Sequence, residues 1–303
     1  MGVPGKIQVT VRLKIDHVTI AGSNLSEMEQ SFARVGLATQ YGGIHSNGIT
    51  HMALLGLEDG SYLELISTVR PGEISPLWND AISLNGGPCA WAVAVDDMAG
   101  EVRRVTALGI PIQGPSSYHR RRPDGVLVEW DLAFPGDHGP GAVLPFFIQD
   151  RTPRELRVGP PASVSSPEKK GQVSPGRLTG VALVILGVKS INGASSLFQR
   201  LYGWRAPHLE EDPVLGASIA FFDGTPVALA APLRGDSWLS SRLARLGELP
   251  CAFLMGTGSL EDVSRRFPLG ETTIWLGRKT AWLDRDALHG IRLGVMESQA
   301  PRG

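Results

Sequence analysis

Cysteine is scarce in this sequence: among 303 residues there are two, Cys89 and Cys251. Small secreted domains that depend on disulfides need several paired cysteines at close spacings, and this chain offers no such set. Each cysteine opens an apolar segment, PCAWAV or PCAFLM. We therefore predict that both are buried at equivalent positions of two similar units, and that neither is a reactive thiol.

Long apolar runs are also absent. No stretch approaches the roughly 18 apolar residues of a membrane-spanning helix. The N-terminal residues lack the apolar core and cleavage pattern of a signal peptide. The chain begins Met-Gly, but Lys6 stands where an N-myristoylation motif requires serine or threonine. These features favour a cytoplasmic protein that has no membrane partner.

Neither sign of charge is in excess. The 29 Lys and Arg residues nearly balance the 30 Asp and Glu residues, which leaves a net charge of −1. The one local cluster, HRRRPDG at residues 119–125, holds too few arginines for a nucleic-acid surface. We therefore expect no nucleic-acid partner. The length predicts one large domain or two medium ones.

One structural unit recurs four times along the chain, as a strand, a helix and then two or three strands. In the first copy, Leu25, Met28, Phe32 and Val35 share one helical face, which predicts a helix capped near Ser26 and ended by the next glycine. The other copies open at CAWAVAVDD, LTGVALVILG and CAFLMGTG. The repetition predicts four similar units, arranged as two pairs.

Two local matches between the halves support duplication: SFARVGLATQ resembles LFQRLYGWRAP, and PCAWAV resembles PCAFLM. Between the halves lies RVGPPASVSSPEKKGQVSPGR, whose Pro, Ser and Gly content is typical of a linker. We predict an N-terminal domain at 13–151, a linker at 152–175 and a C-terminal domain at 176–299.

The segments IDHVTIA, GGIHSNGITHMALLGLEDGSYLELIS, RRRPDGVLVEWDLAFPG and LPFFIQD together resemble the glyoxalase-like branch of the vicinal oxygen chelate superfamily. The resemblance covers most of residues 13–151, and the second half matches by pattern alone. It implies an α+β fold in which each domain pairs two βαβββ modules into a curved mixed sheet around a concave site. It also implies that any divalent metal is held by residues on the first and last strands of the modules.

Strand alternation places a polar set in this cup. His17 lies on the first strand and Glu64 on the last strand of module one, on the face opposite Val18. If Asp59-Gly60 closes a two-residue hairpin, residue 55 lies opposite Glu64, and His51 then shares the cup face. We therefore predict Glu64, His17 and His51 as catalytic residues. Glu64 would act as a general base, which requires a raised pKa.

Three interpretations of this set stay open. His17 and Glu64, with His51, suit Zn, Fe, Mn or Ni. The resemblance, however, implies ligands from both modules, and Ala90 stands at the His17 position of module two. In the C-terminal domain, the equivalents of His17 and Glu64 would be Ala182 and Ala228. The alternatives to a metal are a Glu64–His17 hydrogen bond that orders the sheet face, and metal-free acid–base chemistry.

Other residues are candidates for substrate binding. Tyr62, Trp130 and Phe147, together with Phe146, would form apolar walls, and they are otherwise core residues. His45 lies in a Gly-rich polar stretch that could bring it to a ligand. Arg122, nearest the strand in the arginine cluster, would clamp a carboxylate. Its alternatives are a solvated hairpin tip and an ion pair with Glu129 or Asp131.

Two classes of function follow. The first is a glyoxalase-type enzyme, an isomerase or lyase that transfers a proton on a small carbonyl or carboxylate substrate in the N-terminal cup. The second is a non-catalytic protein that sequesters a small molecule, like the bleomycin-resistance members of the superfamily. The C-terminal domain has no reactive set of residues. We therefore predict that it has a structural role, within a monomeric pseudo-dimer or a homodimer.

Overall fold

The computed structural model describes residues 13–159 and 177–298. The first part contains β1 Ile15–Ala21, α1 Leu25–Arg34, β2 Gln40–His45, β3 Thr50–Gly56, β4 Tyr62–Thr68, α2 Asn79–Ser83, β5 Gly87–Ala94, α3 Met98–Ala107, β6 Ile112–Arg121, β7 Leu127–Pro135, β8 Phe146–Asp150 and α4 Arg154–Arg157. The second contains β9 Gly180–Gly187, α5 Ile191–Tyr202, β10 His208–Asp212, β11 Ala217–Phe221, β12 Val227–Pro232, α6 Trp238–Leu246, β13 Leu249–Thr257, α7 Leu260–Ser264, β14 Thr273–Trp275, β15 Arg278–Trp282 and β16 Leu293–Glu297.

The first eight strands form a closed barrel in the order β1-β4-β3-β2-β6-β7-β8-β5. Within each module the first and last strands are parallel, as β1 with β4 and β5 with β8. The modules join where β1 pairs with β5 and where β2 pairs with β6, both antiparallel. The strands enclose a central space, and α1 and α3 pack outside them. This confirms the predicted α+β class with paired βαβββ modules.

The second eight strands form an open sheet in the order β10-β11-β12-β9-β13-β16-β15-β14. The face that corresponds to the barrel interior is filled by apolar side chains, among them Leu183, Ile185 and Trp275. Helix α6 adds Leu239 and Leu243 to the same cluster. The second sheet therefore has an apolar filling where the first has a site.

Local sequence explains the first helix. The face of α1 that packs against the barrel contains Leu25, Met28 and Phe32, as predicted. The predicted cap near Ser26 is wrong by two positions, because Asn24 accepts the hydrogen bond from the Glu27 amide. The helix ends before Gly36, whose φ of 85° is a conformation that glycine adopts without strain.

The two sheets share one hydrophobic core. Trp91 on β5 and Phe198 on α5 stack with ring centroids 6.4 Å apart. The Arg242 guanidinium donates to the carbonyl oxygens of Gly86 and Pro88, across the same junction. Cys89 and Cys251 are buried, as predicted, and burial raises the pKa of both thiols.

Helix α4 lies in the segment predicted as a linker, and it packs against the barrel. Its Arg157 is 3% exposed and reaches the buried carboxylate of Asp16. The rest of the predicted linker, 160–175, falls outside the described residues. None of the described helices has the length and apolar character that a membrane span requires.

Candidate active site in the N-terminal barrel

A cavity occupies the interior of the barrel. It encloses about 750 Å³, a volume that includes the open solvent at its mouth. Most of its wall is apolar and aromatic, and the aromatic residues are Tyr62, Trp78, Tyr118, Trp130 and Phe146. The ionisable residues that line it are His17, His45, Glu64, Arg120 and Arg157. Tyr62, Trp130, His17, His45 and Glu64 therefore lie where the sequence analysis placed them.

Glu64 lies between two histidines. His17 Nε2 is 3.6 Å from Glu64 Oε2, and His45 Nε2 is 3.5 Å from Glu64 Oε1. Thr19 donates a hydrogen bond of 3.1 Å to Oε2. Glu64 is 6% exposed, so its carboxylate is charge-balanced by protein groups rather than by solvent.

The pKa of Glu64 differs from the sequence prediction. Burial raises it, but the hydrogen bond from His45, the charges of His17 and His45 and the Thr19 hydroxyl outweigh burial and lower it to about 2. The expectation of a raised pKa is therefore wrong. It assumed an apolar cup and did not foresee His45 at the carboxylate. Glu64 is ionised at neutral pH and is a weak base.

His17 is held from behind by Asp16. Its Nδ1 lies 2.7 Å from Asp16 Oδ1, and Asp16 has no exposed surface. Arg157 forms a two-armed ion pair with the same carboxylate, at 2.9 and 2.8 Å. Burial raises the pKa of Asp16, but Arg157 and His17 hold it well below its ordinary value. The imidazole of His17 is thus oriented by a buried, ionised carboxylate.

Sequence analysis missed Asp16 and Arg157. Strict alternation directs Asp16 away from the face that contains His17, but a register shift in the β1–β5 ladder between Ile15 and His17 marks a bulge there. A bulge lets consecutive side chains share a face. Arg157 gave no local signal, because its position follows only from the packing of α4.

The aromatic residues fix the other side of His17. The Tyr62 ring stacks on the imidazole with centroids 4.6 Å apart, and the Phe146 ring meets it edge-on at 5.2 Å. Arg157 donates a 2.8 Å hydrogen bond to the Tyr62 hydroxyl. Burial raises the pKa of Tyr62, so the phenol stays protonated. The His17 ring is therefore confined on its faces as well as at Nδ1.

His51 does not line the cavity, which corrects the predicted catalytic set. Leu54, not residue 55, lies opposite Glu64, and Gly56 pairs with Tyr62 across a loop longer than the two-residue turn we assumed. A one-residue change in register moves every side chain of a strand to the other face. His51 therefore contacts Tyr41, edge-on at 5.9 Å, and burial and His45 lower its pKa.

His45 occupies part of the role that we assigned to His51. It is the last residue of β2, and its Nδ1 lies 2.8 Å from the Thr50 hydroxyl. The pairing of His45 with Arg120 on β6 brings it to the barrel interior. The Gly-rich stretch thus brings a histidine to the ligand space, as predicted, but as the end of a strand rather than as a loop.

Phe147 is also misplaced in the prediction. Phe146 pairs with Ala92 and faces the cavity, whereas Phe147 is fully buried in the core outside the barrel. Alternation on β8 allows only one of two neighbouring residues to face inward. The predicted aromatic wall is therefore formed by Phe146, together with Tyr62 and Trp130.

Arg122 lies away from the cavity. It pairs with Asp124 at 2.7 Å and donates to the Leu156 carbonyl at 3.1 Å. Strand β6 ends at Arg121, so Arg122 belongs to the turn that follows. The arginine of this cluster that lines the cavity is Arg120, which is 4% exposed.

The site does not fit a metal of the kind that the family implies. The β1–β5 register pairs His17 with Ala92 and Thr19 with Ala90, so the two-fold relation between the modules makes Ala90 the equivalent of His17. Thr19 on β1 pairs with Glu64 on β4, as Ala92 on β5 pairs with Phe146 on β8. Phe146 is therefore the equivalent of Glu64. Both module-two positions are apolar. The two Nε2 atoms also contact different oxygens of Glu64 rather than a common centre. Within residues 13–159 and 177–298, no three His, Cys, Asp or Glu side chains form a group that could hold a metal ion.

The C-terminal sheet has none of these polar groups. Ala228 pairs with Ile185 as Glu64 pairs with Thr19, which matches Ala228 to Glu64 as predicted. Leu254 pairs with Leu183 as Ala92 pairs with His17, so the equivalent of His17 is Leu183 and not Ala182. A register shift in the β9–β13 ladder near Val181 moves the match between β1 and β9 by one residue. Apolar side chains therefore fill the second cup.

Comparison with known proteins agrees with this architecture. The model of a family described as a glyoxalase-like domain matches residues 15–201, which is more than half of the sequence. The chain belongs to this glyoxalase-like family. The match confirms the resemblance seen in the sequence. It extends past the N-terminal barrel into α5 of the second sheet.

One solved structure supports the fold. A hypothetical protein from Staphylococcus aureus matches with a TM-score of 0.57 and 13% identity, over 94% of this chain and 100% of that one. Methylmalonyl-CoA epimerase from Mycobacterium tuberculosis matches with a TM-score of 0.37 and 18% identity, over 44% of this chain and 95% of that one.

A Streptomyces coelicolor methylmalonyl-CoA epimerase in complex with 2-nitronate-propionyl-CoA matches with a TM-score of 0.34 and 21% identity, over 41% of this chain and 99% of that one. At these identities the likeness concerns the fold alone, and the two epimerase matches carry no argument about this chain. No curated protein matches the sequence.

Proposed function

We propose that this glyoxalase-like protein is an enzyme that transfers a proton at a carbon next to the carbonyl of a small organic substrate, in the N-terminal barrel. One observation carries the proposal. A buried, ionised Glu64 lies between the Nε2 atoms of His17 and His45, and each imidazole is held at its other nitrogen, by Asp16 and by Thr50.

The arrangement supplies what proton transfer requires. Histidine is the side chain whose ordinary titration range is close to neutral pH. His45 lies at the end of β2 and is the more exposed of the two histidines, at 19% against 4%. In our proposal a neutral His45 keeps its Nε2–H towards Glu64, and the substrate displaces the Thr50 hydroxyl from Nδ1. Nδ1 then accepts the proton as the carbon–hydrogen bond breaks, and the electron pair moves to the carbonyl oxygen. The Glu64 carboxylate stabilises the imidazolium that forms.

The lowered pKa of Glu64 changes the role assigned to it from the sequence. A carboxyl with a pKa of about 2 is a poor proton acceptor at neutral pH but a stable counter-charge. Glu64 therefore orients His45 and balances the positive charge of its imidazolium. In our proposal His17, which is held by Asp16, lies beside the negative charge that develops on the substrate oxygen. No step in this scheme passes through a metal.

The second candidate function is binding without turnover. The lowered pKa of Glu64 favours binding without turnover, because a carboxylate that stays ionised can be the permanent counter-charge of a bound cation. The same carboxylate can equally be the partner of a catalytic histidine. The apolar aromatic wall would serve a sequestering protein equally well. The two functions differ in one respect: only the enzyme exchanges a substrate proton with solvent.

The experiment measures that exchange. The protein is incubated in deuterium oxide with a panel of small aldehydes, ketones and α-oxo carboxylates, and proton NMR follows the signal of the hydrogen next to each carbonyl. We expect at least one compound to lose this signal at a rate well above that of the same mixture without protein. Compounds that bind, as shown by calorimetry, but never exchange would support the sequestering function instead.

Other properties complete the proposal. We propose a small-molecule ligand, a cytoplasmic location and a monomer or homodimer, and we assign no nucleic-acid partner. The C-terminal domain is proposed as a structural support, because its cup is filled and its core is continuous with that of the barrel. The domain limits of 13–151 and 176–299 stay a prediction.

A further inference from the structure

Arg120 is a buried cation at the cavity wall. It lies on β6 directly opposite His45 on β2, at the pairing that closes the barrel. Directly opposed residues of an antiparallel pair have Cβ atoms about 4.5–5.5 Å apart and share a face. Arg120 is 4% exposed and lines the cavity together with His45 and Glu64.

The hydrogen-bond partners of Arg120 are neutral. Its Nη1 donates to the carbonyl oxygen of Gly42 and its Nη2 to that of Arg157. Among the described residues, no Asp or Glu oxygen lies within the 4.0 Å of an ion pair with Arg120. A guanidinium has more N–H donors than two carbonyls can take, so donors remain available for a ligand.

Arg157, the other arginine at the cavity wall, differs from Arg120 in having carboxylate partners. Arg157 is equally buried, but it is matched by the carboxylates of Asp16 and Asp150. A buried cation without a counter-anion is costly, and proteins usually pair it or use it at a functional site. Glu64 acts on Arg120 from beyond the distance of an ion pair. Among the described residues, therefore, no carboxylate contacts the Arg120 guanidinium at the cavity wall.

We propose that Arg120 anchors the carboxylate of the bound compound, so that the substrate class is a small carbonyl compound with one carboxylate. This inference rests on the proposed function, whose reactive group lies on the strand next to it. Guanidinium binds a carboxylate through two parallel hydrogen bonds, which fixes the direction of the ligand as well as its position.

The position of His45 limits the class of substrate further. His45 and Arg120 are opposed on adjacent strands and both line the cavity. In our proposal the carboxylate and the carbon that loses a proton therefore lie within a few bonds of each other. An α-oxo carboxylate, in which the carbonyl is attached to the carboxylate, meets this requirement. The aromatic wall of Tyr62, Trp130 and Phe146 would then contact the rest of the molecule.

The test is calorimetric binding of matched pairs. Pyruvate, α-oxobutyrate and phenylpyruvate are compared with the corresponding uncharged amides, on the full chain and on three variants. Arg120→Met removes the charge and keeps most of the volume, Arg120→Lys keeps the charge without the planar fork, and Arg121→Met is the control. Arg121 is adjacent in sequence, but it is exposed and donates to the Gly125 carbonyl.

We expect the native protein to bind at least one carboxylate about tenfold more tightly than its amide. Arg120→Met should abolish this preference, Arg120→Lys should retain part of it, and Arg121→Met should leave it unchanged within about twofold. Native protein that binds none of the carboxylates, or binds the amides equally well, overturns the inference. A folded Arg120→Met variant that keeps the preference also overturns the inference, because Arg120 would then have only the structural role of linking β2 to α4.

If Arg120→Met fails to fold, the native preference and the Arg120→Lys result decide the matter alone. Failure of this inference is distinct from failure of the proposed function. Carboxylate binding through Arg120 without proton exchange would refute the enzyme and keep the anchor. Proton exchange that is equally fast on a carboxylate and on its amide, and unchanged in Arg120→Met, would keep the enzyme and refute the anchor.

Discussion

Arg157 and Asp16, 141 residues apart in the sequence, form a two-armed ion pair beneath the cavity, with nitrogen–oxygen distances of 2.9 and 2.8 Å. Asp16 in turn contacts His17 Nδ1 at 2.7 Å. A residue in the segment that follows the barrel therefore determines how a cavity histidine is held.

Breaking this pair should destabilise the fold. Arg157→Met leaves the buried Asp16 carboxylate with the partly exposed Arg154 as its remaining arginine partner. We expect a loss of about 1.5–3 kcal/mol in the free energy of unfolding. Urea denaturation followed by circular dichroism measures it. The matched control is Arg151→Met, which breaks the more exposed pair with Asp131 and should cost about 0–1 kcal/mol. Equal losses in the two variants would contradict the structural role of Arg157.

Acid should destabilise the protein through Glu64. Its pKa in the folded protein is about 2, below the ordinary 4.5, so the folded state binds this proton more weakly than the unfolded state does. The resulting stability is fully present above pH 4.5 and is lost as the pH falls towards 2. Urea midpoints measured across this range should fall less steeply in Glu64→Gln than in the native protein. Parallel curves would show that Glu64 contributes nothing to the acid transition.

Short-range patterns predicted much of the architecture. The helical periodicity of Leu25, Met28 and Phe32 and the alternation of His17 with Val18 depend on local geometry alone, and the structure retains both. The inward position of Glu64 follows from the same alternation on β4. The His17–Glu64 pair could therefore be found without coordinates.

Features that depend on loop length or on distant packing could not be predicted. One extra residue in the β3–β4 loop moved His51 off the cavity face and made Leu54 the partner of Glu64. The β2–β6 pairing that opposes His45 to Arg120 joins two modules, and no local pattern indicated its register. The bulge beside Asp16 and the docking of α4 are likewise tertiary events.

Metal content should be well below one ion per chain. His17 and Glu64 supply one half of a family-type ligand set, and Ala90 and Phe146 stand at the matching positions of module two. Inductively coupled plasma mass spectrometry on tag-free protein, purified without chelator, tests this. Near-stoichiometric metal that is lost in His17→Ala would show that the cavity binds a metal after all.

The most direct test of the account is proton exchange in Glu64→Gln, which keeps the shape of the side chain and removes its charge. With a compound that the native protein deuterates, we expect exchange to fall by about 10²-fold or more while calorimetric affinity changes little. Glu129→Gln, a change on the outer face of β7, is the control and should exchange at the native rate. Exchange that persists in Glu64→Gln at the native rate would contradict a catalytic role for the His45–Glu64 pair.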